Sequence, residues 1–404
     1  MNKENESISQ PRKSYFQLIA LGEPFRLMFP LGTFLGIFGV LMWPLFVWNI
    51  TKAYPGVAHP RIMIEGFLTA FVIGFLGTAL PRLLDVPRVT LAETLSFGSS
   101  LILITGLHFT GKLFGGDLLF FFTLLGFVVA LVARAFFRKD TPPPAFVLVA
   151  MGMLSALIGC TIQLVMELSP EALPPQVGTI GRLLLNQGFL LLPIMGVGAF
   201  LLPRFFSLPN RQSFPESIAL PPGWIQRAGF ALLCGLMVVA SFAFEATGSP
   251  RIGYGLRTAA VLVYLYREVP VHQAGLGGGS LALGLRLALF SIPSGFFLLT
   301  IWPERLFSFL HVVFIAGFSL LTFIVATRVI LGHSGQSSLF RASLWPVLIL
   351  AACLALAMLT RVSADWMPIR RMSHYAYAAV AWITGVLIWA GFILPSVGRG
   401  DAEG

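Results

Sequence analysis

Residues 302–335, with the sequence WPERLFSFLHVVFIAGFSLLTFIVATRVILGHSG, contain an apolar run that decides the class of fold. A helix of about 20 apolar residues crosses the hydrocarbon layer of a membrane, and this run is long enough to do so. It carries two of the chain's six histidines, His311 near its start and His333 just past its end. Ionisable side chains are costly inside a bilayer, so the two histidines indicate a bound ligand or paired neighbours.

The composition extends this conclusion to the whole chain. Of its 404 residues, 56% are hydrophobic and 11% are charged, whereas an average soluble protein has about 25% charged residues. We therefore predict an all-α fold, a polytopic membrane bundle of about twelve transmembrane helices. In this prediction residues 25–396 form a single transmembrane domain. It lies between a polar cytoplasmic tail of residues 1–24 and a C-terminal tail of residues 397–404.

The predicted spans follow from the apolar runs of the sequence. They cover residues 27–50, 62–84, 90–110, 113–137, 145–168, 180–203, 223–246, 254–270, 280–302, 306–331, 341–361 and 373–395. The loops between them are short, so no soluble domain is inserted and neighbouring helices are expected to pack antiparallel.

The basic residues predict the orientation of these spans. Cytoplasmic loops of membrane proteins carry an excess of Lys and Arg. Most basic loop residues lie on the N-terminal side of the predicted bundle, namely Lys3, Arg12, Lys13, Arg26, Arg82, Arg88, Arg134, Arg138, Lys139, Arg204 and Arg211. Three that lie on the other side are Arg361, Arg370 and Arg371. Both termini are therefore predicted to be cytoplasmic. Residues 1–24 lack the apolar middle of a signal peptide, so the first span is expected to remain as an anchor.

Several function classes lack support in the sequence. The net charge of +10 is spread over loops rather than gathered on one polar face, which argues against nucleic acid as a partner. No GxxxxGK[ST], HExxH or GxSxG motif indicates an ATPase, a zinc protease or a hydrolase. The three cysteines are far apart, and no CxxCH motif for covalent haem attachment is present. Any haem would have to be held without a covalent bond, as b-type haem.

An internal repeat is one of two interpretations of two similar stretches. Residues 74–82, GFLGTALPR, and residues 196–204, GVGAFLLPR, both end a predicted span with small residues followed by Pro-Arg. Repeats are common in membrane proteins of this size. A coincidence of composition is the alternative at this stage.

Three histidines are predicted near the outer face of the bundle. His311 lies in an apolar run without a neighbouring charge, His59 comes just before the second span, and His108 lies near the end of the third. Imidazole is a common ligand of haem iron and of copper. We therefore expect a haem or copper site that contains His59 and His311 and that His108 could join. A hydrogen bond to a backbone carbonyl, or solvation at the membrane interface, would also explain each of them.

A second polar layer is predicted near the inner face. It contains Arg26, Arg82, Arg328 and His333, which could bind haem propionates or lipid headgroups. His311 and His333 stand at opposite ends of one helix, roughly 30 Å apart at about 1.5 Å per residue. They therefore cannot bind the same metal ion unless the helix breaks.

Other polar residues have simpler explanations. Glu65 lies four residues after Arg61, a spacing that favours a salt bridge on one helix face. Met151 and Met153 could bind copper, but core packing is the explanation that we favour. His272 and His374 are predicted in loops, where solvation suffices.

Four stretches keep their order along the chain and together resemble the NnrS family of bacterial membrane proteins. They are EPFRLMFPLG at residues 23–32, HPRIMIEGFLTAFVIGFLGTALPR at 59–82, NQGFLLLPIMGVGAFLLPR at 186–204 and HVVFIAGFSLLTFIVATRVILGHSG at 311–335. The resemblance implies a twelve-helix protein of the bacterial inner membrane that contains haem and copper. It also implies a role in the response to nitric oxide and nitrosative stress, with nitric oxide as the small gas ligand. Enzymatic turnover of nitric oxide is not implied.

The resemblance also points to individual residues. The family histidine before the second span matches His59, the histidine of the tenth span matches His311, and the histidine of LGH(T/S)G matches His333, with Arg328 retained. The family's His-x-His-Glu pattern departs here, because Arg61 and Ile62 replace its second histidine and its glutamate. This departure weakens the expectation of copper or a second haem at the outer face and places more weight on His59.

Three other functions are alternatives to a haem protein of the nitric oxide response. Haem-copper oxidases carry histidines in their sixth and seventh helices, and residues 180–203 and 223–246 contain none. A secondary transporter would use buried charges such as Glu93 and Arg286 along a substrate path. A partner that delivers haem or copper to a respiratory complex is the third alternative.

Overall fold

The computed structural model describes residues 14–215, 217–275 and 277–400. Helices account for all of the regular structure in these residues. A short helix, α1 (Tyr15–Ala20), precedes twelve longer ones: α2 (Phe25–Val47), α3 (Ala58–Leu83), α4 (Leu91–Phe109), α5 (Leu113–Ala135), α6 (Pro144–Leu168), α7 (Pro175–Phe206), α8 (Trp224–Ala246), α9 (Pro250–Glu268), α10 (Gly279–Ile301), α11 (Pro303–Gly332), α12 (Trp345–Trp366) and α13 (Pro368–Gly398).

Ten of the helices in the described part of the chain are long and apolar enough to cross a membrane. The two longer helices outside this group are α4 and α9, which have 19 residues each. Helix α9 contains Arg251, Arg257, Arg267 and Glu268. The prediction of an all-helical, multi-pass membrane protein is confirmed. The count of about twelve spans and the side on which the termini lie stay predictions.

The N-terminal segment contributes structure that its polar composition did not predict. Helix α1 begins with a capping box, in which the side chains of Ser14 and Gln17 bond to each other's backbone. Leu18 and Ile19 are buried, and the Tyr15 hydroxyl donates a hydrogen bond to the carbonyl of Arg26 at 2.7 Å. The last part of the predicted tail is therefore an amphipathic turn packed on the bundle.

In chain order, the twelve longer helices can be taken as three consecutive groups of four, α2–α5, α6–α9 and α10–α13. Helices that follow each other in sequence contact each other, and α13 returns to pack against α2. The second helix of each group, α3, α7 or α11, is the most buried, with 78%, 72% and 67% of the apolar window inside the protein. We call the end where α2 begins and α13 finishes the terminal end, and the opposite end the far end.

Each of these three central helices contains a π-helical turn. The turns lie at Ile62–Leu68 in α3, Leu184–Gly188 in α7 and Val312–Ser319 in α11. A π turn adds a residue to the helical repeat and changes the direction in which the following side chains point. Such turns are frequent at functional sites, and here all three occur in the helices that face the centre.

The three central helices also agree in register. Near the terminal end they carry Arg82, Arg204 and Arg328. Glu65 precedes Arg82 by the same number of residues by which Gln187 precedes Arg204 and His311 precedes Arg328. The similar stretches at residues 74–82 and 196–204 thus occupy equivalent helices. The structure supports an internal repeat over a coincidence of composition.

An apolar cavity of about 100 Å³ lies where the three central helices converge. Its lining follows the repeat register, with Val72, Ile194 and Phe318 at one level and Phe75, Val197 and Leu321 at the next. Thr322 is the polar residue among the lining side chains. The centre of the bundle is therefore apolar, and the ionisable residues lie around it.

Candidate cofactor pocket and two ionic clusters

His59 and His311 approach each other at the far end of the bundle. Each ring uses Nδ1 to bond to a backbone carbonyl: His59 to Gly39 of α2 at 3.0 Å, and His311 to Phe307 of its own helix at 2.5 Å. A carbonyl only accepts, so Nδ1 carries the proton in both rings. The Nε2 atom of each is then an unprotonated donor of a lone pair, the form in which imidazole binds a metal.

Both histidines lie deep among the helices, and they are close enough to interact with each other and with Arg361 of α12. As whole residues, His59 and His311 are partly rather than fully buried. Trp43 lies 6.0 Å from His59, ring centre to ring centre. We call these residues, together with Tyr375, the far-end pocket.

Tyr375 connects the aromatic and cationic sides of the far-end pocket. Its ring lies 4.9 Å from the ring of Trp43, and the guanidinium of Arg361 lies over it at 4.2 Å. The pocket therefore combines two imidazoles, aromatic surface and one cation, contributed by α2, α3, α11, α12 and α13.

His108 belongs to a separate group, which we call the carboxylate cluster. Its ring is fully buried, with Nε2 at 2.8 Å from Oε2 of Glu65 and 3.6 Å from Oδ1 of Asp117. The ligand atoms of these three residues lie within 4.8 Å of one another. The structure thus places His108 with two carboxylates rather than in the layer predicted with His59 and His311.

The predicted salt bridge between Arg61 and Glu65 does not form. Arg61 instead binds Asp117 at 3.0 Å and Glu167 at 2.8 Å. The π turn begins at Ile62, between the two residues, and rotates Glu65 away from the face that carries Arg61. Arg61 therefore pairs with one carboxylate of the carboxylate cluster and with Glu167 of α6.

A third group, which we call the terminal cluster, contains Glu23, Arg26, Arg82 and His333. Nδ1 of His333 lies 2.8 Å from Oε1 of Glu23, and a nitrogen of Arg82 lies 3.1 Å from both ring nitrogens. Arg26 is fully buried and bonds to the side chain of Glu23. The same guanidinium donates to the carbonyls of His333 and Arg399, at 2.9 Å and 2.7 Å.

The electrostatics of Glu23 show how tightly the terminal cluster is coupled. Burial by itself would raise the pKa of Glu23, but the hydrogen bond and charge of His333, with those of Arg26, outweigh it and hold the pKa at about 2. Every charged group in the cluster has a protein partner. Arg328, predicted in the same layer, lies elsewhere, with its guanidinium 4.4 Å from the ring centres of Phe205 and Phe340.

The remaining sequence candidates have structural roles. His272 stacks on Tyr266 at 4.4 Å between ring centres, and His374 lies 2.9 Å from the hydroxyl of Ser363. A side chain at Gly152 would overlap Pro193 of α7, so the segment Met151–Met153 lies at a close contact between helices α6 and α7.

The two charged residues considered for a transport path, Glu93 and Arg286, also contact other side chains. Glu93 caps its own helix through Thr90 and binds Arg134 at 2.7 Å. The guanidinium of Arg286 lies 4.9 Å from the ring centre of Phe206. Neither residue lines the central cavity.

The comparison with known families assigns the chain. The model of the family described as NnrS protein matches residues 19–399, nearly the whole length. The chain belongs to the NnrS family. No curated protein matched the chain.

The stretches that resemble the NnrS family contribute residues to all three groups, and Glu65 is their residue in the carboxylate cluster. EPFR contributes Glu23 and Arg26 to the terminal cluster, and LGHSG contributes His333. His59 and His311 lie in the far-end pocket. In the carboxylate cluster, Asp117 also pairs with Arg61.

Two site residues were missed in the sequence. Arg361 entered the prediction only as a loop charge, yet it lies within reach of both pocket histidines. Asp117 is an acidic residue inside the fourth predicted span, and that position alone marks it as unusual. Both could have been found by asking of every charge in an apolar run what compensates it.

The second group of four helices contains an ionic network where the third has the pocket. Gln187, equivalent in register to His311, accepts a hydrogen bond from Arg257 at 2.6 Å. Arg257 also binds Ser241 at 2.9 Å and Glu245 at 2.8 Å. The polar side chains of this network therefore bond to one another.

Proposed function

We propose that this NnrS-family protein binds b-type haem non-covalently in the far-end pocket, with His59 and His311 as the iron ligands. We further propose that it acts in the response to nitric oxide and nitrosative stress in the bacterial inner membrane. The observation that supports this most strongly is the matched state of the two rings. In both, Nδ1 donates to a carbonyl and Nε2 is left without a proton.

The residues of the far-end pocket fit a haem. Two imidazoles from different helices can bind the iron, Trp43 and Tyr375 offer aromatic surface to a flat macrocycle, and Arg361 offers a cation to its carboxylates. When bound, haem would supply a redox-active iron. The protein's part is to orient the imidazoles through Gly39 and Phe307 and to keep the site within an apolar bundle.

The central cavity supports a small neutral gas as the physiological ligand. Its volume of about 100 Å³ is below that of an apolar cavity known to hold benzene or xenon, about 150 Å³, and suits a molecule of two atoms. It lies among α3 and α11, which carry His59 and His311. An apolar gas could therefore collect within the bundle.

Copper is not part of this proposal. Both imidazoles of the far-end pocket are assigned to haem, and the carboxylate cluster offers one imidazole beside two carboxylates, of which Asp117 is already paired with Arg61. Copper favours nitrogen and sulfur ligands over carboxylates. Arg61 thus occupies the position at which the family pattern would supply another imidazole.

The test is the absorption spectrum of the full-length protein, purified in detergent from haem-replete cells. We expect a Soret band in the wild type and its loss, or a shift to a five-coordinate form, in His59→Ala and His311→Ala. His374→Ala serves as the matched control, because that histidine lies at the same end of the bundle and bonds to Ser363. A colourless wild-type preparation contradicts the proposal.

A further inference from the structure

Arg361 has an incompletely bonded guanidinium inside the bundle. Its Nη1 atom is buried and has no hydrogen-bond partner. A buried donor without a partner costs about 1–3 kcal/mol, and more when it is charged. Sequences rarely keep such a group inside a membrane protein unless a ligand or an ion completes its bonding.

No carboxylate of the described residues forms an ion pair with Arg361. Asp365 lies within range of its charge, but this carboxylate bonds to the hydroxyl of Ser308 at 2.5 Å and pairs with Arg371 at 3.8 Å. The contact that holds Arg361 in place is the ring of Tyr375 at 4.2 Å. The guanidinium is therefore positioned without being neutralised.

The unpartnered group lies beside the proposed haem ligands. The charge of Arg361 acts on both His59 and His311, and all three residues are partly rather than fully buried. This charge would repel a positively charged group in the pocket. An anion in the pocket would be attracted by it.

We infer that Arg361 binds a carboxylate of the cofactor, a propionate of the haem, through its Nη1 atom. This inference rests on the proposed function. A guanidinium binds a carboxylate through charge-assisted hydrogen bonds, which satisfy the donor and neutralise the charge together. Arg361 is then a cofactor-binding residue that fixes the orientation of the macrocycle relative to His59 and His311.

The experiment compares haem with haem dimethyl ester, whose two carboxylates are blocked. Haem-free wild-type protein in detergent is titrated with each compound, and so are Arg361→Gln and Arg328→Gln. Arg328 is the matched control because it also lies over aromatic rings, at the terminal end. We expect the wild type to bind haem roughly 10- to 100-fold more tightly than the ester, the range that a hydrogen bond to a charged group supplies.

The variants separate the outcomes. Arg361→Gln should bind haem and the ester with nearly equal affinity, while Arg328→Gln should keep the wild-type preference. Equal affinity of the wild type for the two compounds overturns the inference and leaves the proposed function standing. Failure of the wild type to bind either compound refutes the proposed function instead. Arg361→Lys keeps the positive charge and should retain part of the preference for haem over the ester. This result would show that the loss of preference in Arg361→Gln is not caused by misfolding.

Discussion

The far-end pocket and the terminal cluster contain the same kinds of side chain and differ in what completes their bonding. Both combine histidine with arginine, and the sequence predicted a cofactor role for both. In the terminal cluster, His333, Glu23 and Arg26 bond to one another and to backbone carbonyls. In the pocket, each imidazole keeps one nitrogen without a proton, and Arg361 keeps an unpartnered donor.

This difference distinguishes a binding site from a structural joint. Histidine and arginine at a membrane position require a partner, and the protein supplies it at the terminal end. The terminal cluster joins the start of α2, the end of α11 and the residues after α13. At the far end, Nη1 of Arg361 has no hydrogen-bond partner among the described residues, and we propose that a ligand supplies it. The Arg257 network repeats the structural solution in the second group of four helices.

Removing the charge of Glu23 is the strongest test of the difference between the terminal cluster and the far-end pocket. In Glu23→Gln the fully buried Arg26 loses its carboxylate, and breaking a buried ion pair costs about 3 kcal/mol or more. We expect the free energy of unfolding to fall by about this amount, measured by reversible unfolding in mixed micelles. The haem content should not change.

Glu93→Gln is the matched control for Glu23→Gln. It also removes a carboxylate from an arginine, but the Glu93 side chain is 31% exposed. Its effect should stay below about 1 kcal/mol. An equal loss in both variants would show that the terminal cluster is not a buried structural joint.

The pH dependence of stability offers a second test of the terminal cluster. The pKa of Glu23 is lowered from 4.5 to about 2 in the folded protein. A lowered pKa stabilises the fold above the unfolded value, so this contribution is present above about pH 4.5 and is lost as the pH falls toward about 2. We expect the stability difference between the wild type and Glu23→Gln to shrink across this window. A difference independent of pH would contradict the assignment.

A smaller effect is expected in the carboxylate cluster. His108→Gln keeps an amide donor toward Glu65 and removes only the imidazole. Stability should fall by less than about 1 kcal/mol, because the hydrogen bond to Glu65 is kept and only the contact of the imidazole with Asp117 is lost. The Soret band should remain, because His108 contacts Glu65 and Asp117 rather than the pocket histidines. Loss of haem in His108→Gln would show that the carboxylate cluster and the far-end pocket form one site.

The fold was predictable because it depends on composition and on the length of apolar runs. The proximity of His59 and His311 was predictable too. Successive spans cross the membrane in opposite directions, and counting them places both histidines near the same face. The bonds of Arg61 were not, because its partners Asp117 and Glu167 lie on other helices and a π turn separates it from Glu65. No local spacing in the sequence signals such a turn.

The repeat and the role of Arg361 needed the structure for different reasons. Residues 74–82 and 196–204 share visible small residues, but the third copy in α11 has Thr327 before Arg328 where the others have proline. Only the shared register of the central helices reveals it. Arg361 looks like a loop charge in the sequence, and its missing partner becomes visible only when its neighbours are in place.

The central claim is that the two ends of α11 have different roles, a ligand at His311 and a structural partner at His333. Absorption spectra and unfolding curves of His311→Ala and His333→Ala, purified side by side, test it most directly. We predict that His311→Ala loses the wild-type Soret band with little loss of stability in the haem-free protein. His333→Ala should keep the band and unfold more easily. Loss of the band in His333→Ala and its retention in His311→Ala would contradict the account.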